Sequence, residues 1–197
     1  KKINLKTDST ISAGVYPAWH PTHNYIAFST NKTKQSVHTN LNNRIEVFDT
    51  ESDLILYNTQ KNSVSIIEND SAEIECFPAW TPDGKTLYYV SAHFDYEFGT
   101  KREEYIVNNF DKIHYNLYRK AFNPETATWG ESELVYDAAA EGKSITLPRI
   151  SPDGRYLMFT MGDYGVFHIW HKDANLYLMD LKSSQIRPLS EINSNDV

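Results

Sequence analysis

Short apolar runs alternate along the chain with compact polar turns, and residues 78–91 show the pattern in full. They read Pro-Ala-Trp, then Thr-Pro-Asp-Gly-Lys, then Thr-Leu-Tyr-Tyr-Val-Ser. Pro82 presets the φ angle of the turn, Asp83 bonds to its own backbone, and Gly84 supplies the positive φ that closes the turn. Aromatic and β-branched residues on both sides favour strands over helices. The stretch therefore predicts a β-hairpin.

The same pattern occurs at 17–29 and at 148–160, so the chain contains an internal repeat. The copies start 61 residues apart and then 70 residues apart. The third copy keeps Pro-Asp-Gly, whereas the first keeps the proline but has Thr-His-Asn in place of Asp-Gly, and Asn24 tolerates the left-handed conformation. One position of the repeat is large and apolar in every copy, and we predict that it packs between sheets: Trp19, Trp80 and Ile150.

A second pair of apolar runs follows each hairpin, at 53–58 and 64–67, at 115–120 and 132–136, and at 174–180 and 185–189. Four strands in each of three tandem units predict an all-β protein built from four-stranded antiparallel β-propeller blades. We place the blades at 11–70, 71–140 and 141–192, within one propeller segment that covers 1–197. Residues 1–10 are predicted to be a strand of a preceding blade.

The repeat resembles that of TolB-like β-propeller proteins, in which Ser-Pro-Asp-Gly and an aromatic-rich strand precede a Leu-Tyr-x-x-Asp strand. Residues 148–159 with Leu-Tyr-Leu-Met-Asp at 176–180 match best. The second copy has Thr81 in place of the serine, and the first lacks Asp-Gly. The chain is also similar to Bacteroidetes envelope proteins of this type. That resemblance implies a partial propeller with further blades outside the chain, and a place in the periplasm or cell envelope.

Composition narrows the possible partners. The apolar content of 40% is enough for a packed core, and the net charge is −7 without a basic block, which argues against nucleic acid as a partner. The sequence has no apolar run of about 18 residues that could span a bilayer. Cys76 is the single cysteine, so no disulfide forms within the chain, and we expect a small buried core residue.

Candidate chemistry concentrates in the long loops between the second and third strand of each blade, at 31–52, 92–114 and 161–173. These loops are predicted to share the face opposite the Asp-Gly turns, where a rigid scaffold would present binding residues. A protein partner is expected there, and exposed aromatic rings would also suit a glycan or peptide ligand. The predicted binding-face residues are Arg44, Phe94, Asp95, Tyr96, Asp163, Tyr164 and Trp170.

Histidines in the same loops form a metal hypothesis, in which one imidazole from each blade converges with a carboxylate such as Asp95. Neutral imidazole suits divalent transition metals. The alternative is that these histidines bond to loop backbone. The candidate ligands are His38, His93, His168 and His171.

The sequence lacks the motifs of standard enzymes, such as Gly-x-Ser-x-Gly or His-Glu-x-x-His, so no catalytic or cofactor-binding residue is assigned. The function that fits best is a non-enzymatic binding scaffold in the cell envelope. One alternative is a metal-dependent enzyme resembling oligogalacturonate lyase. Another is the gating propeller of a peptidase.

Overall fold

The computed structural model describes residues 13–31, 36–39, 45–49, 52–94, 104–105, 108–165 and 167–193. The first four-stranded antiparallel sheet, blade 1, has the order β1-β2-β5-β6. Its strands are β1 (Ala13–Trp19), β2 (Tyr25–Asn31), β5 (Leu54–Asn58) and β6 (Ser63–Glu68). A separate hairpin, β3 (Ser36–Thr39) with β4 (Ile45–Phe48), lies within the first long loop and was not predicted.

Blades 2 and 3 repeat the arrangement and confirm the all-β prediction. Blade 2 contains β7 (Glu73–Trp80), β8 (Thr86–His93), β9 (Asn116–Asn123) and β10 (Thr128–Tyr136). Blade 3 contains β11 (Ser144–Ile150), β12 (Tyr156–Gly162), β13 (Asn175–Asp180) and β14 (Gln185–Pro188). The predicted strand of a preceding blade at 1–10 lies outside the described residues. In the described part of the chain, no helix is long and apolar enough to cross a membrane.

The blades pack face to face, with their first strands β1, β7 and β11 next to one another. Alternate residues of β8 enter two different cores. Leu87 and Tyr89 pack with Ala27 and Leu56 between blades 1 and 2. Tyr88 and Val90 belong to the larger core between blades 2 and 3. Because successive strand residues point to opposite faces, a two-sided apolar strand is what a central blade requires.

Each first strand carries a β-bulge that the repeat pattern did not predict. Tyr16, Phe77 and Leu147 have φ angles of 52°, 55° and 53°, and each precedes a proline. The pairing register slips at the same place in all three blades. A left-handed residue inside a strand is unfavourable for any side chain with a Cβ, so the surrounding sheet must hold it. A bulge of this kind bends its strand, here next to the propeller axis.

The Asp-Gly turns close as predicted. Gly84 has a φ angle of 70°, and the Asp83 carboxylate accepts hydrogen bonds from the Thr81 hydroxyl (2.6 Å) and the Lys85 amide (3.0 Å). The Thr81 hydroxyl bond is the main cause that lowers the pKa of Asp83. Ser151, Asp153 and Arg155 repeat this bonding in blade 3.

In blade 1 the turn has no aspartate, and the His20 side chain caps the turn amides instead. Its Nδ1 accepts the amides of Thr22 (3.2 Å) and His23 (3.0 Å). Its Nε2 therefore carries the proton and donates to the Gly84 carbonyl at 2.9 Å, in the turn of blade 2. Burial lowers the pKa of His20. The ring therefore stays neutral while it caps one turn and joins two blades.

The two equivalent tryptophans differ. The Trp80 indole is 8% exposed, packs on Phe122 with ring centroids 5.1 Å apart, and donates to the Ala18 carbonyl of blade 1 at 3.2 Å. Trp19 is 67% exposed, so the prediction that it packs between sheets is wrong for the described structure. The difference arises because Trp80 packs against blade 1, whereas Trp19 lines an open cavity of about 320 Å³ that it shares with Trp80 and Ile150.

Candidate functional site

The loops of blades 2 and 3 are joined into one platform. The Gly165 amide donates to the Ile113 carbonyl (2.8 Å), and the Gly165 carbonyl accepts the Ser144 hydroxyl (2.7 Å). Ser144 in turn accepts the Tyr115 amide at 3.1 Å. Gly165 has a φ angle of 80°, which favours glycine at this close approach. The third long loop is thus fixed to the end of the second.

His168 lies at the base of this platform and is buried. Its Nε2 donates to the Tyr164 carbonyl at 3.0 Å, which leaves Nδ1 to accept the Thr146 hydroxyl at 3.1 Å. Burial, followed by the neighbouring His171, lowers the pKa of His168 to about 4. His168 is therefore neutral at physiological pH, with both ring nitrogens occupied by protein partners.

His171 packs beside His168. Its ring centroid lies 5.2 Å from that of His168 and 4.8 Å from that of Tyr164, and the side chain is buried. The backbone between them is a 3-10 helix, His168–Trp170, in which the His171 amide donates to the His168 carbonyl. The helical turn brings the two imidazoles to the same side, which an extended strand would not do. The side chain of Trp170 is outside the described part.

Two predicted residues are exposed on the loop side. His93 Nδ1 lies 2.9 Å from Glu73 Oε1, and the other Glu73 oxygen accepts the Ser91 hydroxyl at 2.5 Å. Asp163 forms an ion pair with Lys143. The long-loop face, meaning here His93, Lys143 and 163–173, therefore presents charges of both signs on a fixed backbone.

Other predicted residues are placed differently or are not described. Phe94 is 4% exposed and packs against Tyr105 in the core between blades 2 and 3, so its ring is not available to a ligand from solvent. His38 lies in β3, but its side chain is outside the described part, as are Arg44, Asp95 and Tyr96. Among the described residues, no three or more His, Cys, Asp or Glu side chains are grouped to hold a metal ion. The four-histidine metal site stays a prediction.

Sequence reasoning missed a buried polar network between the first strands of blades 1 and 2. Asp49, which follows the β3–β4 hairpin, is 2% exposed and accepts the Tyr16 hydroxyl at 3.1 Å. Cys76 lies in the same network, 3.0 Å from the Ser52 hydroxyl. Burial raises the pKa of the Cys76 thiol, so it stays protonated and behaves as a core residue. The network anchors the end of the first long loop at the axis.

A second missed feature is Glu75, on the first strand of blade 2. The side chain is 2% exposed, its Oε1 accepts the Asp70 amide at 3.1 Å, and its Oε2 has no hydrogen-bond partner. Burial raises the pKa of Glu75 to about 8, assisted by the nearby carboxylates of Asp53, Glu68 and Glu73. The signal in the sequence is an acidic residue inside the apolar run Ile-Glu-Cys-Phe at 74–77.

No family model and no curated protein matches the chain. Solved structures with a similar fold include the nidogen/laminin complex, with a TM-score of 0.51 and 8% identity over 90% of this chain. A putative TolB from Agrobacterium tumefaciens has a TM-score of 0.46 and 14% identity. The match covers 84% of this chain and 60% of the TolB chain. Oligogalacturonate lyase in complex with manganese has a TM-score of 0.36 and 13% identity. The match covers 88% of this chain and 52% of the lyase chain. The chain spans 48% of the nidogen/laminin chain that it matches. At these identities the likeness concerns the fold alone.

Proposed function

We propose that the chain is part of a non-enzymatic binding scaffold of the TolB-like propeller type, which holds a protein partner in the cell envelope. The observation that carries the proposal is the platform formed by the second and third long loops, joined through Gly165, Ile113 and Ser144. A recognition surface of this kind loses little conformational entropy when a partner binds, because its backbone is already ordered.

The histidines of the platform support binding over chemistry. His168 has both ring nitrogens engaged and its pKa is lowered to about 4, so it is a poor general base or acid near neutral pH. The exposed groups near His168 are the ion pair of Lys143 with Asp163 and the His93 imidazole beside the Glu73 carboxylate. Mixed charges on a rigid face suit a polar protein surface. The envelope location rests on the TolB-like repeat signature.

Reversing a charge on the long-loop face is expected to weaken partner binding by about tenfold, because complementary charges across an interface favour encounter and register. The variant is Asp163→Arg, and the measurement is affinity capture from an envelope fraction followed by titration of the captured protein. Lys182→Glu, in the β13–β14 turn of blade 3, is the matched control and should bind like the unmodified chain. Equal binding by Asp163→Arg and Lys182→Glu would contradict the proposal.

The second candidate, a metal-dependent enzyme, is favoured by one observation: His168 and His171 lie side by side, with ring centroids 5.2 Å apart. Neutral imidazole is the form that binds metals, and a metal at His168 would have to displace the Thr146 hydroxyl from its Nδ1. Elemental analysis of the purified chain tests this candidate. A stoichiometric divalent ion that is lost in His171→Ala would favour this candidate, and its absence from the unmodified chain would exclude it.

A further inference from the structure

The first strands of the three blades end around one cavity. Its volume is about 320 Å³, and the equivalent residues Trp19, Trp80 and Ile150 all line it. The residue before each of them also lines the cavity, and it is alanine in blades 1 and 2 but Arg149 in blade 3. The opposite end of β1 pairs with Asn31, where the first long loop begins. This turn-end cavity is therefore separate from the long-loop face.

The charge in the turn-end cavity is positive. Among the described residues that line it, Arg149 is the one charged side chain, although the chain has 26 Asp and Glu against 19 Lys and Arg. The Arg149 guanidinium donates to the Pro148 carbonyl at 2.9 Å, which leaves most of its N–H donors for another acceptor. The acids of the adjacent turns, Asp83 and Asp153, are bonded within their own turns. A carboxylate is the complementary ligand group, because it accepts two N–H bonds from one guanidinium.

Trp19 contributes an indole with an open face and a hydrogen-bond donor. The described hydrogen bonds give the Trp80 indole N–H an acceptor, the Ala18 carbonyl at 3.2 Å, and give that of Trp19 none. The Trp80 contact shows how an indole is accommodated in this cavity: the ring packs on apolar surface and the N–H meets a backbone carbonyl. The other walls include prolines, which have no backbone N–H to offer a ligand: Pro17, Pro21, Pro78 and Pro82.

These groups together select one kind of ligand. Trp19 calls for a carbonyl, Arg149 for a carboxylate, and Ile150 with the indole ring for an apolar group between them. The last residue of a peptide combines all three when its side chain is apolar. Sites for small ligands have volumes of roughly 300 to 1,000 Å³, so a cavity of about 320 Å³ suits about one or two residues at a chain end.

We propose that the turn-end cavity binds the C-terminal residue of a peptide whose last side chain is apolar or aromatic. The terminal carboxylate pairs with the Arg149 guanidinium, and the carbonyl of the preceding peptide group accepts the Trp19 indole N–H. Capture of a C-terminal carboxylate is a recurrent mode of peptide recognition. This site lies at the other end of the first strands from the platform of the long loops, so the inference does not depend on the proposed function.

Calorimetric titration of the 197-residue chain with N-acetyl-phenylalanine tests the proposal, because this molecule carries the carbonyl, the ring and the carboxylate. The expected result is saturable binding of one ligand per chain, with a dissociation constant that rises at least tenfold in Trp19→Ala and in Arg149→Gln. Both side chains are exposed, so both variants should retain the far-ultraviolet circular dichroism of the unmodified chain. Arg187→Gln is the matched control, because Arg187 is exposed on the outermost strand β14, and it should bind normally.

Three further ligands identify which groups are recognised. N-acetyl-phenylalanine amide lacks the carboxylate, 3-phenylpropionate lacks the amide carbonyl, and acetyl-Ala-Asp-Ala-amide has a carboxylate but no free chain end. Each should bind at least tenfold more weakly than N-acetyl-phenylalanine. The proposal would be overturned by an absence of saturable binding, by normal binding in Arg149→Gln or Trp19→Ala, or by equal binding of any of the three. Equal binding of 3-phenylpropionate would assign the cavity to free aromatic acids, and equal binding of the aspartate peptide would assign it to internal acidic segments.

Discussion

Replacement of Glu75 by glutamine is expected to remove a loss of stability that develops as the pH rises from about 4.5 to 8. The folded chain holds the Glu75 proton up to about pH 8, whereas the unfolded chain releases it near the ordinary glutamate pKa of 4.5. Between these values the folded state binds one proton more, so stability is full below the lower value and decreases as pH rises. The limiting slope is about 1.4 kcal/mol per pH unit, on the order of 5 kcal/mol over the range.

Urea unfolding of both proteins at several pH values provides the measurement. The free energy of unfolding of Glu75→Gln minus that of the unmodified chain should rise steadily towards pH 8, because the amide has the shape of the protonated carboxyl. Below about pH 6.5 the lowered pKa values of His168 and His20 add a rise of stability with pH that both proteins share. The exposed Glu131→Gln serves as the control and should follow the unmodified chain. If Glu75→Gln kept the full slope, other groups of the folded state would have to cause it.

Gly84→Ala is expected to destabilise the chain by about 3 to 5 kcal/mol. A Cβ at position 84 would lie only 2.3 Å from Cε1 of buried His20, and the backbone there has a φ angle of 70°. The left-handed conformation alone costs an alanine about 1 to 2 kcal/mol. Displacing His20 adds the loss of its hydrogen bond to Gly84 and of its packing on Trp80, with ring centroids 4.7 Å apart. Overpacked sites typically cost a further amount of about 1 to 3 kcal/mol.

Gly154→Ala separates the two contributions. Gly154 occupies the same turn position with a φ angle of 72°, and the nearest atom to a Cβ there is Pro82 Cδ at 3.5 Å, an ordinary contact. Gly154→Ala should lower the free energy of unfolding only by the backbone contribution of about 1 to 2 kcal/mol. Thermal and urea unfolding measure both variants. Equal losses at the two positions would show that the His20 contact contributes nothing to stability.

Much of the fold could be predicted from the sequence because its determinants are local. The Pro-Asp-Gly turns close through hydrogen bonds within four residues, and the apolar runs between them fix which segments form strands. The repeat then gives the number of strands in each blade. Those features depend on neighbours in the sequence, so a single sequence displays them.

The remainder depends on contacts between distant residues. His20 replaces a turn aspartate only because the Gly84 carbonyl of another blade accepts the hydrogen bond from its Nε2–H. Trp19 and Trp80 share the local sequence Pro-Ala-Trp-x-Pro, and their burial differs because blade 1 covers Trp80. The apolar run around Glu75 shows that its carboxyl is buried, yet its raised pKa also reflects the carboxylates of Asp53 and Glu68, which are distant in the sequence. At the candidate site, the sequence indicates which loop residues to consider, but it does not show what their side chains contact. Phe94 is an example, because its ring belongs to the core.

The imidazole cap of blade 1 has a consequence for how the molecule opens. A carboxylate cap such as Asp153 serves its own turn, so that turn can form or melt locally. The His20 cap completes its bonding only when the turn of blade 2 is in place. Blades 1 and 2 are thereby coupled into one cooperative unit, in which local fluctuations of one turn are tied to those of the other, while the turn of blade 3 keeps an independent cap.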